Sequence, residues 1–141
     1  MATPDPILSA LQTQKIRDTQ PRRLVVEALR KLGKPASVQD IQKYVRSKGN
    51  AINGVTVYRV VALLDKHKLI HRHPCGGLLT LCTMPEMRGH HGFLHCTSCE
   101  SVKEFIDADL CAAENRVAQQ ADFLSHRHVS EILGVCKQCH A

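Results

Sequence analysis

Apolar residues in the first half of the chain recur at helical spacing. Together with capping and stop residues, they predict helices from about Pro6 to Asp18, from Pro21 to Gly33, from the N-cap Ser37 to Gly49, and from Val55 to about His67. Asp40 follows Ser37 by three residues, at the acidic position of a capping box. The third and fourth helices are typical of a helix-turn-helix DNA reader, although a plain helical bundle has the same periodicity.

Two short apolar runs follow the last of these helices. Residues 69–73 and 78–82 flank the Gly-rich turn Pro74–Gly77, which predicts a β-hairpin. Helices followed by such a hairpin form a winged helix. The next segment, 83–91, contains Pro and Gly without apolar periodicity, and we interpret it as a hinge.

The remaining sequence predicts a second, smaller domain. Strand-like stretches at 92–96 and 102–106 precede a helix at about 107–121, and a last strand-like segment covers 123–133. So small an α/β unit has little core of its own, and we expect it to form a homodimer. The prediction is an α+β protein with a winged helix at 1–82, a hinge at 83–91 and an α/β dimerisation domain at 92–141.

The two parts differ in charge. Residues 1–73 carry 14 Lys and Arg against 5 Asp and Glu, whereas residues 74–141 carry 5 against 8. A basic half suits a polyanion, because Lys and Arg that neutralise phosphates release condensed counterions. A solvated basic surface is the alternative that charge alone leaves open.

The chain has seven cysteines. It lacks an apolar stretch of membrane-spanning length, and its N-terminus lacks the basic start and apolar run of a signal peptide, so we expect a cytoplasmic protein without a membrane partner. In a reducing compartment disulfides are rare, and the cysteines indicate metal binding or redox chemistry instead.

Four cysteines form two Cys-x-x-Cys pairs. Cys96 and Cys99 make the first pair, and Cys136 and Cys139 make the second. Two such pairs supply four thiolates, the closed tetrahedral ligand set of a structural zinc site. A redox role would need a thioredoxin-like βαβ pattern, which the sequence lacks.

A second group of residues has the chemistry of metal ligands. Its members are His71, His73, Cys75, Cys82, His90, His91, His95 and Glu104. Such a mixed set of nitrogen, sulfur and oxygen donors is compatible with Zn²⁺, and a soft thiolate disfavours Mg²⁺, Ca²⁺ and Mn²⁺. From chemistry alone the choice among these ligands stays open.

Several motifs together resemble the ferric uptake regulator family. They are Thr19-Gln20-Pro21-Arg22, Thr56-Val57-Tyr58-Arg59, His90-His91 before Cys96-x-x-Cys99, Val102-Lys103-Glu104-Phe105, and Gly134-Val135-Cys136-x-x-Cys139. They occur in the family's order over nearly the whole chain. The resemblance implies a winged helix, a dimerising α/β domain, a structural zinc, a regulatory metal, and binding of AT-rich palindromic operators by the metallated protein.

Within this family the chain resembles the zinc uptake regulator branch. That resemblance places the regulatory zinc ligands at His71, Cys82, His90 and Glu104, and implies one structural and one regulatory zinc per chain. His91 is the alternative to His90. The family also has a further site, which is altered here: His128 matches one ligand, but Cys111 stands where an acidic ligand is expected.

Five residues are the predicted DNA contacts. Tyr58 and Arg59 would read bases from the fourth helix with Thr56 beside them, and Arg22 and Lys15 would bind phosphates. The predicted function is a zinc-responsive repressor of zinc uptake genes, in which a metal ligated by residues of both domains selects the DNA-binding form.

Three other functions are compatible with part of the pattern. An iron- or peroxide-responsive repressor of the same family is one, but Cys82 is a poor ligand for it. In a zinc enzyme, His71, Cys82 and His90 would hold the metal and Glu104 would act as base. The chain lacks the signatures of such enzymes, and we predict no enzymatic activity. A zinc-ribbon adaptor would leave the basic half without a role.

Overall fold

The computed structural model describes residues 3–74, 76–87, 89–126 and 128–141. The chain forms two compact units, Met1–Glu86 and Met87–Ala141, here called unit 1 and unit 2. Their boundary lies within 83–91, the segment interpreted as a hinge. Within the described ranges, no helix is long and apolar enough to cross a membrane.

Unit 1 begins with four helices, which are α1 (Pro6–Thr13), α2 (Gln20–Leu32), α3 (Val38–Ser47) and α4 (Gly54–Lys66). Side chains cap three of them, α1, α3 and α4. The predicted capping box at α3 is confirmed, because Ser37 Oγ accepts from the backbone N–H of Asp40 and the Asp40 carboxylate accepts from the backbone N–H of Ser37. Asn53 caps α4 by accepting from the N–H of Thr56. Side-chain bonds therefore fix where these two helices begin.

The prediction that α1 extends to Asp18 is wrong, since the helix ends at Thr13. Lys15 adopts a left-handed conformation with φ 58°. The N–H of Ile16 then bonds to the carbonyl of Leu11, and that of Lys15 bonds to the carbonyl of Gln12. This is a Schellman ending formed without glycine, so no sequence signal marked it.

A two-stranded antiparallel hairpin completes unit 1. It consists of β1 (Ile70–Arg72) and β2 (Leu79–Leu81), and Leu79 also pairs with Ala36 before α3. Helices and hairpin enclose an aliphatic core that includes Ile7, Leu11, Val25, Ile41, Val57, Leu64, Leu69 and Leu79. The predicted winged helix is therefore present. Cys75, in the predicted turn, lies outside the described residues.

Unit 2 is a three-stranded sheet with one long helix. Its elements are β3 (His91–Cys96), β4 (Val102–Ile106), α5 (Ala108–Gln120), β5 (Glu131–Gly134) and a short α6 (Lys137–His140). The strand order is β4-β3-β5, with β4 antiparallel and β5 parallel to β3. Two expectations are corrected: β3 begins one residue earlier than predicted, and only the end of 123–133 is a strand.

The core of unit 2 is small. Among its described residues, Phe93 and Cys96 are the buried apolar side chains, and α5 buries none. Leu94, Ile132 and Leu133 on the sheet are all more than two-fifths exposed. Apolar burial alone therefore gives this unit little stability.

Candidate metal centres and DNA-binding surface

The four cysteines of the two Cys-x-x-Cys pairs meet in unit 2. Cys96 ends β3, and Cys99 lies in the following turn. Cys136 is the N-cap of α6, and Cys139 lies within this helix. All four Sγ atoms lie within 4.8 Å of one another, and those of Cys99 and Cys136 are 3.8 Å apart. In a tetrahedral site with Zn–S bonds of about 2.3 Å, sulfur atoms are separated by about 3.8 Å. The geometry fits structural zinc.

Hydrogen bonds within this cluster favour the thiolate form of Cys96, which is the form that binds a cation. The backbone N–H groups of Cys99 and Cys136 lie 3.5 and 3.3 Å from Cys96 Sγ and lower the pKa of the Cys96 thiol to about 6. The Cys136 side chain, in contrast, raises the pKa of the Cys139 thiol to about 12. The peptide groups thus stabilise one thiolate, while a full set of thiolates needs a positive ion among them.

In unit 1 the hairpin presents two of the predicted regulatory ligands. His71 pairs with Thr80 across the hairpin, and the N–H of Cys82 bonds to the carbonyl of Leu69 at 2.9 Å. Because side chains alternate along a strand, this register puts His71 and Cys82 on one face. Cys82 is buried and His71 half-buried.

His73, two residues further along the same hairpin, has a structural contact. Its ring is buried, and its Nε2 lies 2.8 Å from the hydroxyl of Thr80. The imidazole therefore belongs to the packing of the wing. The predicted ligand group included this residue on chemistry alone, without knowledge of this hydrogen bond.

In unit 2 the structure pairs His91, and not His90, with Glu104. His91 Nδ1 contacts a carboxylate oxygen of Glu104, and His91 Nε2 lies 3.1 Å from the carbonyl of Met87. Both side chains are largely buried in this pair. Phe93 and Glu104 are partners in the β3–β4 register, so their side chains lie on one face of the sheet. His91 precedes Phe93 by two residues, so its side chain lies on the same face. The structure thus brings His91, the alternative to His90, beside Glu104.

His90 instead joins Cys111 and His128. The ligand atoms of these three residues lie within 4.8 Å of one another. Cys111 and His128 are the residues predicted for the further site, and His90 joins them, whereas His91 contacts Glu104. Glu114, whose Oε2 lies 3.2 Å from His128 Nε2, was missed at the sequence level. Its position three residues after Cys111 on a predicted helix was the available signal.

The predicted DNA contacts lie on unit 1. On α4, Val57 is buried in the core while Tyr58 and Arg59 are exposed, and Thr56 participates in the Asn53 cap. Residues that follow each other on a helix point in different directions, so packing of Val57 directs Tyr58 and Arg59 to solvent. Arg59 offers a planar guanidinium and Tyr58 an aromatic edge, as base-reading side chains do.

The two predicted phosphate anchors differ in their surroundings. Lys15 is exposed at the left-handed residue after α1. Arg22 is half-buried in the first turn of α2, and its guanidinium donates to the carbonyl of Arg17. That bond uses one of the five donors of the guanidinium and leaves the others available.

A known family accounts for this combination of folds and sites. The sequence profile of the ferric uptake regulator family matches residues 13–132. The chain belongs to the ferric uptake regulator family. It is thus a metal-responsive transcription regulator, and the prediction that it is not an enzyme is confirmed by its family.

Relatives and solved structures of this family cover nearly the whole chain. A ferric uptake regulation protein of Legionella pneumophila is 28% identical over 134 residues, which is 91% of this chain and 98% of the relative. The crystal structure of holo XcZur is 26% identical, covers 93% of this chain and 92% of its own, and has a TM-score of 0.82. A zinc uptake regulator complexed with zinc and DNA, 21% identical with coverage of 94% and 89%, shares the fold at a TM-score of 0.80. The predicted α+β class is confirmed.

Proposed function

We propose that this chain is a zinc-responsive transcriptional repressor that binds palindromic operator DNA as a homodimer. The observation that carries the proposal is the pairing of Cys82 with His71 on one face of the wing, because a thiolate and an imidazole favour zinc over iron or manganese. The likeness in fold to a zinc uptake regulator complexed with zinc and DNA supports the same metal.

The proposed regulatory ligands are His71, Cys82, His91 and Glu104. They supply two imidazole nitrogens, one thiolate and one carboxylate, a set that zinc accepts in tetrahedral geometry. The carbonyl of Met87 faces the second nitrogen of His91 and would fix its tautomer, as outer partners of zinc-binding histidines do. When bound, zinc would supply a positive charge that balances the thiolate of Cys82 and the carboxylate of Glu104.

In the proposed mechanism, metal binding selects one conformation of the protein. A ligand shifts an equilibrium only by its differential affinity for the two states. To change the population from mostly inactive to mostly active protein, zinc must bind the active state more tightly by about 5.5 kcal/mol, and four coordinate bonds to zinc can supply this difference. We infer that the zinc-bound arrangement is the one that binds DNA.

The homodimer is supported by the surface of unit 2. β5 lies at one edge of the sheet, and Ile132 and Leu133 on it are more than half exposed. Phe123 and Leu124, which precede this strand, are about seven-tenths and eight-tenths exposed. Exposed apolar side chains beside an open strand edge are typical of a surface that a second protein copy covers. We propose that this surface is the dimer interface.

DNA binding under controlled metal tests the proposal. Duplexes would be selected from a random pool by protein loaded with zinc, iron or manganese in parallel, and their affinity measured as free metal is buffered upward. We expect zinc to select a palindrome and to tighten its binding at least tenfold, and Cys82→Ser to abolish that response. Thr83→Ala, an exposed neighbour, is the control and should respond as wild type.

The same assay addresses the alternative metals. If iron tightens DNA binding and zinc does not, the chain is an iron-responsive repressor and the zinc proposal is wrong. If binding is equal with and without any metal, Cys82 and His71 do not belong to a sensor.

Two substitutions on α4, each of which removes one positive charge, test which side chain reads the DNA bases. Arg59→Ala should abolish selection of the palindrome while the zinc content stays unchanged, since the guanidinium is exposed beside Tyr58. Lys66→Ala removes an equal charge from an exposed site in the last turn of the helix and should weaken binding only slightly. Equal effects of the two substitutions would mean that Arg59 reads no base.

A further inference from the structure

Two large apolar side chains of unit 1 are exposed, and both lie near the start of α4. Val55 is 59% exposed and Tyr58 is 55% exposed, whereas the other large hydrophobic residues among the described part of unit 1 are buried or half-buried. Val57, a residue of the same type two positions after Val55, is completely buried. Packing of the core therefore does not account for the apolar character of Val55.

Val55 shares the outward face of α4 with the two predicted base readers. Residues three and four positions apart on a helix are neighbours on its surface, so Val55 lies beside both Tyr58 and Arg59. The opposite face of the helix carries the buried residues, which are Val57, Val60, Val61 and Leu64. Val55 thus extends the predicted reading surface toward the N-terminus of α4.

Local contacts fix the first turn of α4 and leave Val55 as its exposed side chain. The backbone N–H and the hydroxyl of Thr56 both donate to Oδ1 of Asn53, at 2.9 and 3.0 Å. The side-chain amide of Gln42 on α3 occupies the space that a β-carbon on Gly54 would need. The cap therefore uses the Thr56 hydroxyl, and Gly54 is in close contact with α3. Val55 lies between them on a turn that is held in place from both sides.

The charge of the surrounding unit indicates DNA as the partner of this side chain. Residues 1–73 carry 14 Lys and Arg against 5 Asp and Glu, and Arg59 is exposed beside Val55. In a helix-turn-helix reader, the N-terminal residues of the second helix contact base edges in the major groove. The apolar group that a base presents there is the 5-methyl group of thymine, which the other three bases lack.

We propose that Val55 is a specificity-determining residue, which packs against the 5-methyl group of one thymine in each half of the operator. The inference rests on the proposed function, because it requires α4 to be the reading helix, and it adds a third base-reading side chain to Tyr58 and Arg59. Burial of one methyl group strengthens binding about threefold to fourfold. A homodimer on a palindrome makes the contact twice, so the two methyl groups together should strengthen binding about tenfold.

Replacement of thymine by deoxyuridine tests the contact, because it removes only the 5-methyl group. Symmetric pairs of thymines would be replaced, one pair at a time, in the palindrome that wild-type protein selects from a random pool. Affinities would be measured for wild type and Val55→Ala, with the metal that gives the tightest binding. At one pair of thymines, loss of the methyl groups should weaken wild type about tenfold and leave Val55→Ala unaffected. Thymines contacted by Tyr58 should keep their methyl effect in Val55→Ala.

Two comparisons separate base reading from an effect on folding. Alanine favours helix more than valine does, so Val55→Ala should keep α4 folded and the zinc content unchanged. Val117→Ala removes the same atoms from a 65% exposed position on α5 of unit 2, and it should bind every duplex as wild type does. In selection from a random pool, Val55→Ala should still recover the palindrome but lose the preference for thymine at one position of each half.

The outcomes distinguish this inference from the proposed function. If deoxyuridine has the same effect on wild type and Val55→Ala at every pair of thymines, Val55 reads no methyl group, and the repressor proposal is unaffected. If wild-type protein selects no duplex with any metal, both proposals are wrong.

Discussion

The ring of Phe105 covers Gly92 so closely that a β-carbon on Gly92 would lie 2.3 Å from Cζ of that ring. The two residues are partners in the β3–β4 register, where the adjacent pair is His91 with Ile106. We expect Gly92→Ala to push the ring away and to destabilise unit 2 by about 1–3 kcal/mol, as overpacking does. Calorimetry and amide exchange of the zinc-loaded protein measure the change.

Gly134→Ala is the control for this substitution. Gly134 also lies on a strand of unit 2, but a β-carbon there would meet nothing within 4 Å. Its stability should remain within about 0.5 kcal/mol of wild type. Equal destabilisation by both substitutions would show that contact with Phe105 is not the cause.

Removal of the structural zinc should unfold unit 2 and spare unit 1. Structural zinc contributes about 10–16 kcal/mol in small peptides, whereas unit 2 has little apolar core. Cys136→Ser should therefore lose this zinc, and amides of β3 to β5 should exchange rapidly while those of α2 to α4 stay protected. Gln138→Ser, between the two cysteines of the pair, should keep both zinc and protection. A protected sheet in zinc-free Cys136→Ser would contradict this account.

Acid should weaken the start of α3. Hydrogen bonds from the backbone N–H and hydroxyl of Ser37, at 2.9 and 2.8 Å, hold the pKa of Asp40 below 3.8. A lowered pKa stabilises the fold fully above the unfolded value near 3.8, and this stabilisation is lost as pH falls through the folded pKa. Ser37→Ala should cost about 1 kcal/mol at pH 7.

Urea unfolding of unit 1 at several pH values measures this effect. The stability difference between wild type and Asp40→Asn should be present at pH 7 and disappear as the pH falls through the lowered pKa of Asp40. Asp65→Asn, at an exposed position on α4, serves as the comparison and should show no such pH-dependent difference. A difference for Asp40→Asn that is the same at every pH would rule out the carboxylate as its source.

The adjacent histidines should have separable roles. His91→Gln should abolish zinc-dependent DNA binding, because His91 stands beside Glu104, whereas His90→Gln should retain it. Loss of the zinc response in His90→Gln and its retention in His91→Gln would mean that the β3 register differs in the metal-bound protein.

The sequence was informative wherever local chemistry decides structure. Capping residues and stop signals predicted α2, α3 and α4 to within a few residues, and the Cys-x-x-Cys spacing predicted the cluster of four sulfurs. These features depend on residues close to one another or on ligand chemistry with few alternatives.

Prediction was less accurate where the structure depends on strand register or on contacts between segments that are distant in sequence. Whether His90 or His91 accompanies Glu104 depends on where β3 begins, and a shift of one residue reverses the face of a side chain. Likewise Lys15 ends α1 in a left-handed conformation that glycine usually adopts. Glu114 was missed because its role depends on His128, which approaches from another segment.

The distance along the chain between the paired elements of unit 2 also governs the timing of its assembly. Cys99 and Cys136, whose sulfurs meet, are 37 residues apart in sequence, and partners in the parallel pairing of β3 with β5, such as Phe93 and Glu131, are 38 residues apart. Such non-local contacts form slowly because the intervening chain must first lose entropy, whereas capped helices form early. We therefore expect a newly made chain to order its DNA reader before it can retain zinc, so that folding, and not metal supply, sets the shortest response time of fresh protein.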